Sequence, residues 1–351
     1  MASFYKDFLK PFFFRFDPEF VHESVVALGE LIGEDEIAKF LLGKTICFRN
    51  KKLERTVGGI KFKNPLGLAA GFDYDGRCAA VLKSVGFGFN TVGTVTAKPY
   101  GGNPKPRLGR LPNSKSLFVN KGFKNQGVAA IAKRLEDKNL TDIVLGISVG
   151  ASNLPEVDSI GKAIDDYLFT FEYLKNKKFV RYFELNISCP NTALPENFTN
   201  PKNLEVLVKK IAKVKLGKPV FVKMPNEITP GRIDPLIEVA LKHGISGFIL
   251  SNLVKDRKNK YILPEELKRF TNFKGNFSGR PCFEGSNRLI AHVSKKYGRD
   301  AVIIGCGGVF TAQDALVKFQ AGADLVQMVT GLIFEGPQVA GRINRELATL
   351  L

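Results

Sequence analysis

Tyr182-Phe-Glu-Leu-Asn-Ile-Ser-Cys-Pro-Asn191 is the stretch that decides the fold. Tyr182 to Ile187 alternates like a buried strand, and Asn186, Ser188, Cys189 and Asn191 collect where that strand must end, since Pro190 has no N–H to continue a ladder. In an α/β protein the carboxyl end of a strand is where chemistry sits, so a thiol among small polar side chains is a candidate site. A cysteine packed as a small hydrophobe beside a strand terminus is the plain alternative.

Outward from this strand the same unit repeats from Asn64 onward: an apolar strand, a polar or Gly-rich loop, then a helix. Strands are expected over 66–70, 90–95, 143–149, 182–187, 220–224, 247–251, 301–305 and 325–329. Helices are expected over 78–85, 128–136, 163–174, 204–214, 235–243, 287–297 and 311–320, the last opened by a capping-box pattern from Thr311 to Asp314. Roughly eight such units make an α/β protein of the (β/α)8 TIM-barrel class, with a doubly wound sheet as the runner-up. The stretches 98–122 and 252–286 are longer loops rich in Gly, Pro and Asn, a length that in compact domains goes with function or mobility.

Residues 1–50 differ in texture, which divides the chain into a helical segment over 1–50 and a barrel over 51–351. Phe4, Tyr5, Phe8, Leu9, Phe12 and Phe13 recur at helical spacing among Lys6, Lys10 and Arg15. Asp17-Pro18-Glu19 then reads as an N-cap, a first-turn proline and a first-turn acid, opening a helix with Val21, Val25, Leu28 and Ile32 on one face and Gly33 at its end. Such a pair of helices suits a membrane-surface anchor, a lid packed on the core, or both if the helices enclose a tunnel for an apolar substrate.

Composition narrows the function. The chain has 351 residues, 44% hydrophobic and 25% charged, as a globular protein should. No apolar run approaches the ~20 residues of a spanning helix and no signal peptide is evident, so the expected place is the cytosol or the cytoplasmic face of a membrane. Five cysteines without paired spacing and three histidines argue against disulfides and against a metal site. The formal charge of +18 comes from basic residues spread along the chain, with no helix-turn-helix, zinc-finger or RNA-binding motif; nucleic acid is not an expected partner, whereas an anionic membrane or an anionic ligand is.

The remaining strand ends carry matching chemistry. Gly305-Cys306-Gly307-Gly308 and Thr330-Gly331 follow the last two strands, where barrels tend to bind phosphate, and glycines let backbone N–H groups approach its oxygens. Lys223 at a buried strand end needs an anion or an electron-rich ring. A set of Asn side chains, each donor and acceptor, suits a ligand with alternating N–H and C=O such as a pyrimidine. Together these point to a phosphate-bearing cofactor with a small polar heterocycle stacked on it.

Several motifs occur in one order along essentially the whole chain. They are Phe16-Asp17-Pro18-Glu19 with His22, Asn64-Pro-Leu-Gly-Leu-Ala-Ala-Gly71, Gly93-Thr-Val-Thr96, Pro104-Lys-Pro-Arg107, Asn186-Ile-Ser-Cys-Pro-Asn-Thr192, Ser278-Gly-Arg-Pro281 and Ile303 to Gly308. In these the chain resembles the dihydroorotate dehydrogenases, and its N-terminal helices resemble the membrane-associated, quinone-using class. The resemblance implies an FMN enzyme that oxidises dihydroorotate to orotate in pyrimidine synthesis. A base takes a proton from ring C5, hydride passes from C6 to the flavin, and a quinone reoxidises it. The family's base falls at Cys189. Cofactor contacts fall at Ala70, Gly71, Thr94, Ser148, Asn186, Lys223, Ser251, Ser278, Gly279, Gly307, Gly308, Thr330 and Gly331, with Lys223 near flavin N1 as a second catalytic group. Substrate contacts fall at Asn120, Phe123, Asn186, Asn191 and Asn252.

The chain departs from that pattern in places. Cys189 stands where the quinone class has Ser; a thiol, with an ordinary pKa of ~8.5, is the better base near neutrality. Tyr74 stands for a Lys near the flavin and the orotate carboxylate, Val119 for a substrate Asn, Leu253 for a Thr and Ala151 for a Lys. Lys121 could supply the missing cation. The alternatives kept open by these changes are a flavin oxidoreductase of the same fold acting on another small heterocyclic or unsaturated substrate, a soluble-type acceptor such as fumarate or NAD, an FMN-binding membrane protein without catalysis, and a flavin-free phosphate-binding barrel.

Overall fold

The computed structural model describes residues 4–192 and 197–351. A two-stranded hairpin, β1 (Arg55–Val57) and β2 (Ile60–Phe62), precedes the first barrel strands, β3 (Leu66–Leu68) and β4 (Phe89–Val95). Two excursion strands, β5 (Leu108–Leu111) and β6 (Ser116–Val119), come next, followed by the barrel strands β7 (Leu145–Val149), β8 (Tyr182–Asn186), β9 (Val220–Met224) and β10 (Gly247–Leu250). After the short β11 (Asn276–Phe277), the strands β12 (Val302–Cys306) and β13 (Leu325–Met328) complete the set. Strands β3, β4, β7, β8, β9, β10, β12 and β13 close into a parallel barrel. Closure excludes the doubly wound sheet.

Period-2 alternation places every second side chain inside the barrel. The lower interior is apolar: Phe89, Tyr182, Phe221, Ile249, Ile304 and Leu325 pack together, and Ile60 and Phe62 of the hairpin join them to close the amino-terminal end. One layer up, Glu184 is fully buried and accepts hydrogen bonds from Thr91 Oγ1 and Gln327 Nε2, both at 2.6 Å. The Tyr182 ring fits because Gly146 lies against it; a Cβ there would meet the ring at 2.1 Å. Helices cover the outside, among them Val128–Glu136, Ile160–Leu174, Pro201–Val214, Pro230–Lys242 and Phe283–Tyr297. Thr311 and Asp314 form the expected capping box on the helix Ala312–Gln320.

Three expectations are corrected. The helix expected over 78–85 is reduced to Leu82–Val85, because Asp73 holds the preceding segment in a turn by accepting the N–H groups of Arg77 and Cys78, each at 2.8 Å. The helix opened by Asp17 runs to Glu34 rather than stopping at Gly33, and Asp35 both ends it and caps a further helix, Glu36–Ile46. The two long loops are not wholly irregular: β5 and β6 from 98–122 and β11 from 252–286 form a three-stranded antiparallel sheet over the barrel mouth.

The helix Pro18–Glu34 buries Glu19, His22, Val26 and Gly33, while Val25 and Leu28 of the expected apolar stripe face outward. It docks closely because Gly29 has no side chain: a Cβ there would sit 2.8 Å from Cys78 Sγ. Val26 and Ile32 pack into the cluster that holds Cys78 and Val81, and polar contacts surround this apolar part. Arg77 Nε meets Glu30 Oε2 at 2.7 Å, Arg107 and Lys124 each meet Glu19 at 3.1 Å, and His22 Nε2 donates to Phe72 O at 2.8 Å.

Burial holds the His22 imidazole neutral, pushing its pKa down to about 3. A depressed histidine pKa means that the unfolded chain binds the extra proton, so this site's contribution is complete above the ordinary value near ~6.5 and is lost as the pH falls through it toward 3. The expected cost is about 2 kcal/mol by pH 5, at ~1.4 kcal/mol per pH unit. Hydrogen exchange in Pro18–Glu34 should therefore accelerate at pH 5 in the native chain, and a His22→Gln variant should lose that pH dependence.

Candidate active site

Eight parallel strands end at one mouth, where a cleft encloses about 1270 Å³ including its opening. Its floor is set by strand-end side chains. Asn186, the last residue of β8, donates from Nδ2 to Thr94 Oγ1 at 2.9 Å and accepts the Ser188 N–H on Oδ1 at 3.4 Å, so its carboxamide is held at both ends, while Tyr167 donates to its backbone carbonyl at 2.8 Å. Lys223 on β9 is buried and lines the cleft, and among the described residues no carboxylate lies within ion-pair distance of it. A buried ammonium without a carboxylate requires an electron-rich or anionic group opposite it.

One end of the cleft is built of backbone. Gly307 and Gly308 adopt positive φ, +118° and +75°, and are hemmed in by Cys282 and Phe283, so side chains there would displace the turn. Gly279 and Gly331 lie in the same wall, with Ser278 Oγ 2.8 Å from Thr330 Oγ1. Gly71, at φ +107°, has open space where a Cβ would project, so its backbone faces the cleft. Close backbone approach of this kind with hydroxyl groups at hand is what a phosphate needs.

The other end carries the reactive side chains. Cys189 is half-buried, is in no disulfide and lines the cleft just past β8. Asn191 donates to Val119 O at 3.1 Å, and Asn252 donates to Ser188 Oγ at 2.9 Å and to Ser188 O at 3.1 Å. Phe123, at φ +65°, completes this side.

Of the residues that the sequence pointed to, Ala70, Gly71, Thr94, Phe123, Asn186, Cys189, Asn191, Lys223, Ser251, Asn252, Ser278, Gly279, Gly307, Gly308, Thr330 and Gly331 all line this one cleft. Two do not. Ser148 is fully buried behind Thr94, its Oγ 3.0 Å from Thr94 Oγ1, and acts on the wall rather than in the cleft. Asn120 points away and accepts from Asn103 Nδ2 at 2.9 Å, because alternation along β6 and its continuation sends Leu117, Val119 and Lys121 into the cleft and Phe118 and Asn120 to the opposite side. Tyr74 and Leu253 line the cleft, whereas Ala151 does not.

The cleft also has an apolar side that the sequence did not disclose: Leu108, Leu117, Val309, Met328 and Ile333, with His22 and Phe72 beside them. Short strands inside a stretch read as loop gave no usable period, except that Leu108 and Leu117 fall on matching faces of β5 and β6.

The family profile of dihydroorotate dehydrogenase matches residues 52–351. The chain belongs to the dihydroorotate dehydrogenase family. It is 36% identical over 347 residues to a protein of Christiangramia forsetii named dihydroorotate dehydrogenase (quinone), covering 98% of each chain. It is 34% identical over 360 residues to the protein of that name from Chloroflexus aurantiacus, covering 99% of this chain and 97% of the relative. A crystal structure of the Eimeria tenella dihydroorotate dehydrogenase in complex with ferulenol superposes with a TM-score of 0.82 at 27% identity, covering 95% of this chain and 92% of that one. Both the N-terminal helices and the barrel of this dihydroorotate dehydrogenase family member therefore fall within the matched length of its relatives.

Proposed function

We propose that this chain oxidises dihydroorotate to orotate, with FMN as its resident cofactor and a quinone as final acceptor, in pyrimidine synthesis. The observation that carries the reading is the single cleft that joins a glycine-built phosphate cradle, the unpaired Lys223 ammonium and a half-buried thiol flanked by asparagines. The residues fit FMN. Gly279, Gly307, Gly308 and Gly331 with Ser278 and Thr330 would hold its phosphate, Ala70, Gly71, Thr94, Asn186 and Ser251 would line its ring system, and Lys223 would face the ring edge that gains electron density. Bound there, FMN supplies the acceptor for the hydride that leaves ring C6 and hands the electrons on to quinone.

The chain's own residues do the rest. The Cys189 thiolate removes the proton at ring C5. Asn191 and Asn252 orient the ring with what their internal hydrogen bonds leave over, one N–H of Asn191 and the second lone pair of each Oδ1, and Phe123 lines that side. The direct test is optical. The purified protein should be yellow, and anaerobic addition of dihydroorotate should bleach the flavin band; a yellow protein that does not bleach would redirect the search to other heterocyclic reductants, and a colourless one that takes up no FMN would overturn the cofactor.

We further propose that residues 1–50 form the membrane-facing segment and 51–351 the catalytic barrel; residues 1–3 lie outside the described ones. No described helix is long and apolar enough to cross a membrane. Peripheral association is supported instead by exposed apolar side chains: 11 of the 17 large ones among the described residues fall between Phe4 and Leu41. The apolar side of the cleft, with Leu108, Leu117 and Ile333, gives a quinone ring an approach from beneath these helices. We propose the cytoplasmic face of the membrane as the place of this attachment.

A further inference from the structure

Besides Lys223, the cleft contains a second cation that the described residues leave unmatched. Lys121 Nζ is shielded from solvent and has no hydrogen-bond partner among the described residues. Its surroundings explain why. Glu19 is taken by Arg107 and Lys124, each at 3.1 Å, and Glu23 by Lys124 at 2.9 Å and by the Tyr74 hydroxyl. Glu23 also lies 3.9 Å from Arg77, so these two carboxylates serve Arg107, Lys124 and Arg77, and Lys121 is the cation left over. The Tyr74 ring centroid lies 4.5 Å from Nζ, and His22, stacked on Tyr74 at 5.5 Å, is neutral and has no negative charge to offer. A ring face recovers part of the hydration that a buried ammonium gives up, not all of it.

The loop that carries this amine is tied to the thiol side of the cleft. Asn191 Nδ2 donates to Val119 O at 3.1 Å, and Asn103 Nδ2 links Asn120 Oδ1 at 2.9 Å to Asn191 O at 2.8 Å. Lys121 follows Asn120 directly and its side chain lines the same cleft as Cys189 and Asn191.

We propose that Lys121 is the anion subsite of this cleft, its ammonium taking the carboxylate of a small planar ring acid bound beside Cys189. In the proposed function, on which this inference rests, that acid is the dihydroorotate and orotate pair. Tyr74 is then a positioning residue: held by Glu23 at its hydroxyl, it fixes a ring under the ammonium. Burial pushes the Lys121 pKa down to about 8, so the amine is cationic at neutral pH and an arriving carboxylate gains a partly desolvated partner.

The test is calorimetric binding to the FMN-loaded full chain of two ring acids, orotate and nicotinate, and of their uncharged counterparts, uracil and nicotinamide. Lys121→Met should weaken the acids roughly 10- to 100-fold and leave the neutral rings within about twofold, and Lys121→Arg should restore most of the preference. Equal weakening of acids and neutral rings, no weakening of either, or binding of neither acid by the unmodified chain would overturn the subsite. Orotate bound independently of Lys121 would sink this inference and spare the proposed function. Nicotinate bound through Lys121 with orotate ignored would do the reverse.

Discussion

Cys189→Ala should abolish flavin reduction by dihydroorotate almost entirely, slowing it by about 10²–10⁴, the range that one positioned general base contributes. FMN content should not change, because the thiol sits at the substrate end of the cleft while the glycine turns at 279, 307–308 and 331 are in another wall. Cys189→Ser is the more informative variant. A hydroxyl of the same shape is a far weaker base near neutrality than a thiol of ordinary pKa ~8.5, so activity should survive in part and rise toward alkaline pH. Stopped-flow reduction under anaerobic conditions reads both. Full turnover in Cys189→Ala would remove Cys189 from the mechanism and leave the cofactor assignment standing.

The second large effect should come from the outer face of the N-terminal helices. Leu28, Leu31 and Phe40 are 56%, 66% and 61% exposed, and none of them contributes to the packing of the barrel. Burying one Leu or Phe side chain completely is worth roughly 1.5–3 kcal/mol. If half of that is realised at a membrane surface, replacing all three by Asp should weaken vesicle binding roughly 50- to 2000-fold. Quinone turnover should fall with it, while reduction of FMN by dihydroorotate stays as it was. This variant is preferable to deleting residues 1 to about 40. Deletion also removes Glu19, His22 and Glu23, which hold Arg107, the Phe72 carbonyl, Lys124 and Tyr74 at the edge of the cleft. Sedimentation with anionic vesicles gives the binding arm. Unchanged sedimentation together with unchanged quinone kinetics would count against the membrane-facing reading.

The barrel was legible because its strands are buried on both sides. Such strands read as short apolar runs closed by Gly, Asn or Pro, and all eight expected strands appear in the closed sheet. Their carboxyl ends were legible for the same reason. Once the strand phase is set at Tyr182, alternation places Glu184 and Asn186 inside and Cys189 beyond the end, and a thiol there has one mouth to serve. The cofactor wall was legible through glycines whose positive φ and close neighbours admit no side chain, as at Gly307 and Gly308.

The class of barrel, the end at which its polar strand ends collect and the glycine-built wall are thus written in the chain's local pattern. Those depend on local periodicity and on backbone conformations that few residues tolerate. Tertiary structure decided which side chains meet across distant loops. Asn120 and Lys121 are neighbours in sequence, yet the continuation of the four-residue strand β6 sends the first toward Asn103 and the second into the cleft, a choice set by pairing between β5, β6 and β11. Whether the Pro18–Glu34 helix shows Leu28 or His22 to the barrel was likewise undetermined by its pattern, because both faces carry apolar residues. The glycine that lets it approach Cys78, and the carboxylates that answer Arg107 and Lys124, settle the orientation through contacts more than 40 residues apart. Charge left over after such pairings, as at Lys121 and Lys223, can be counted only when every partner is in place.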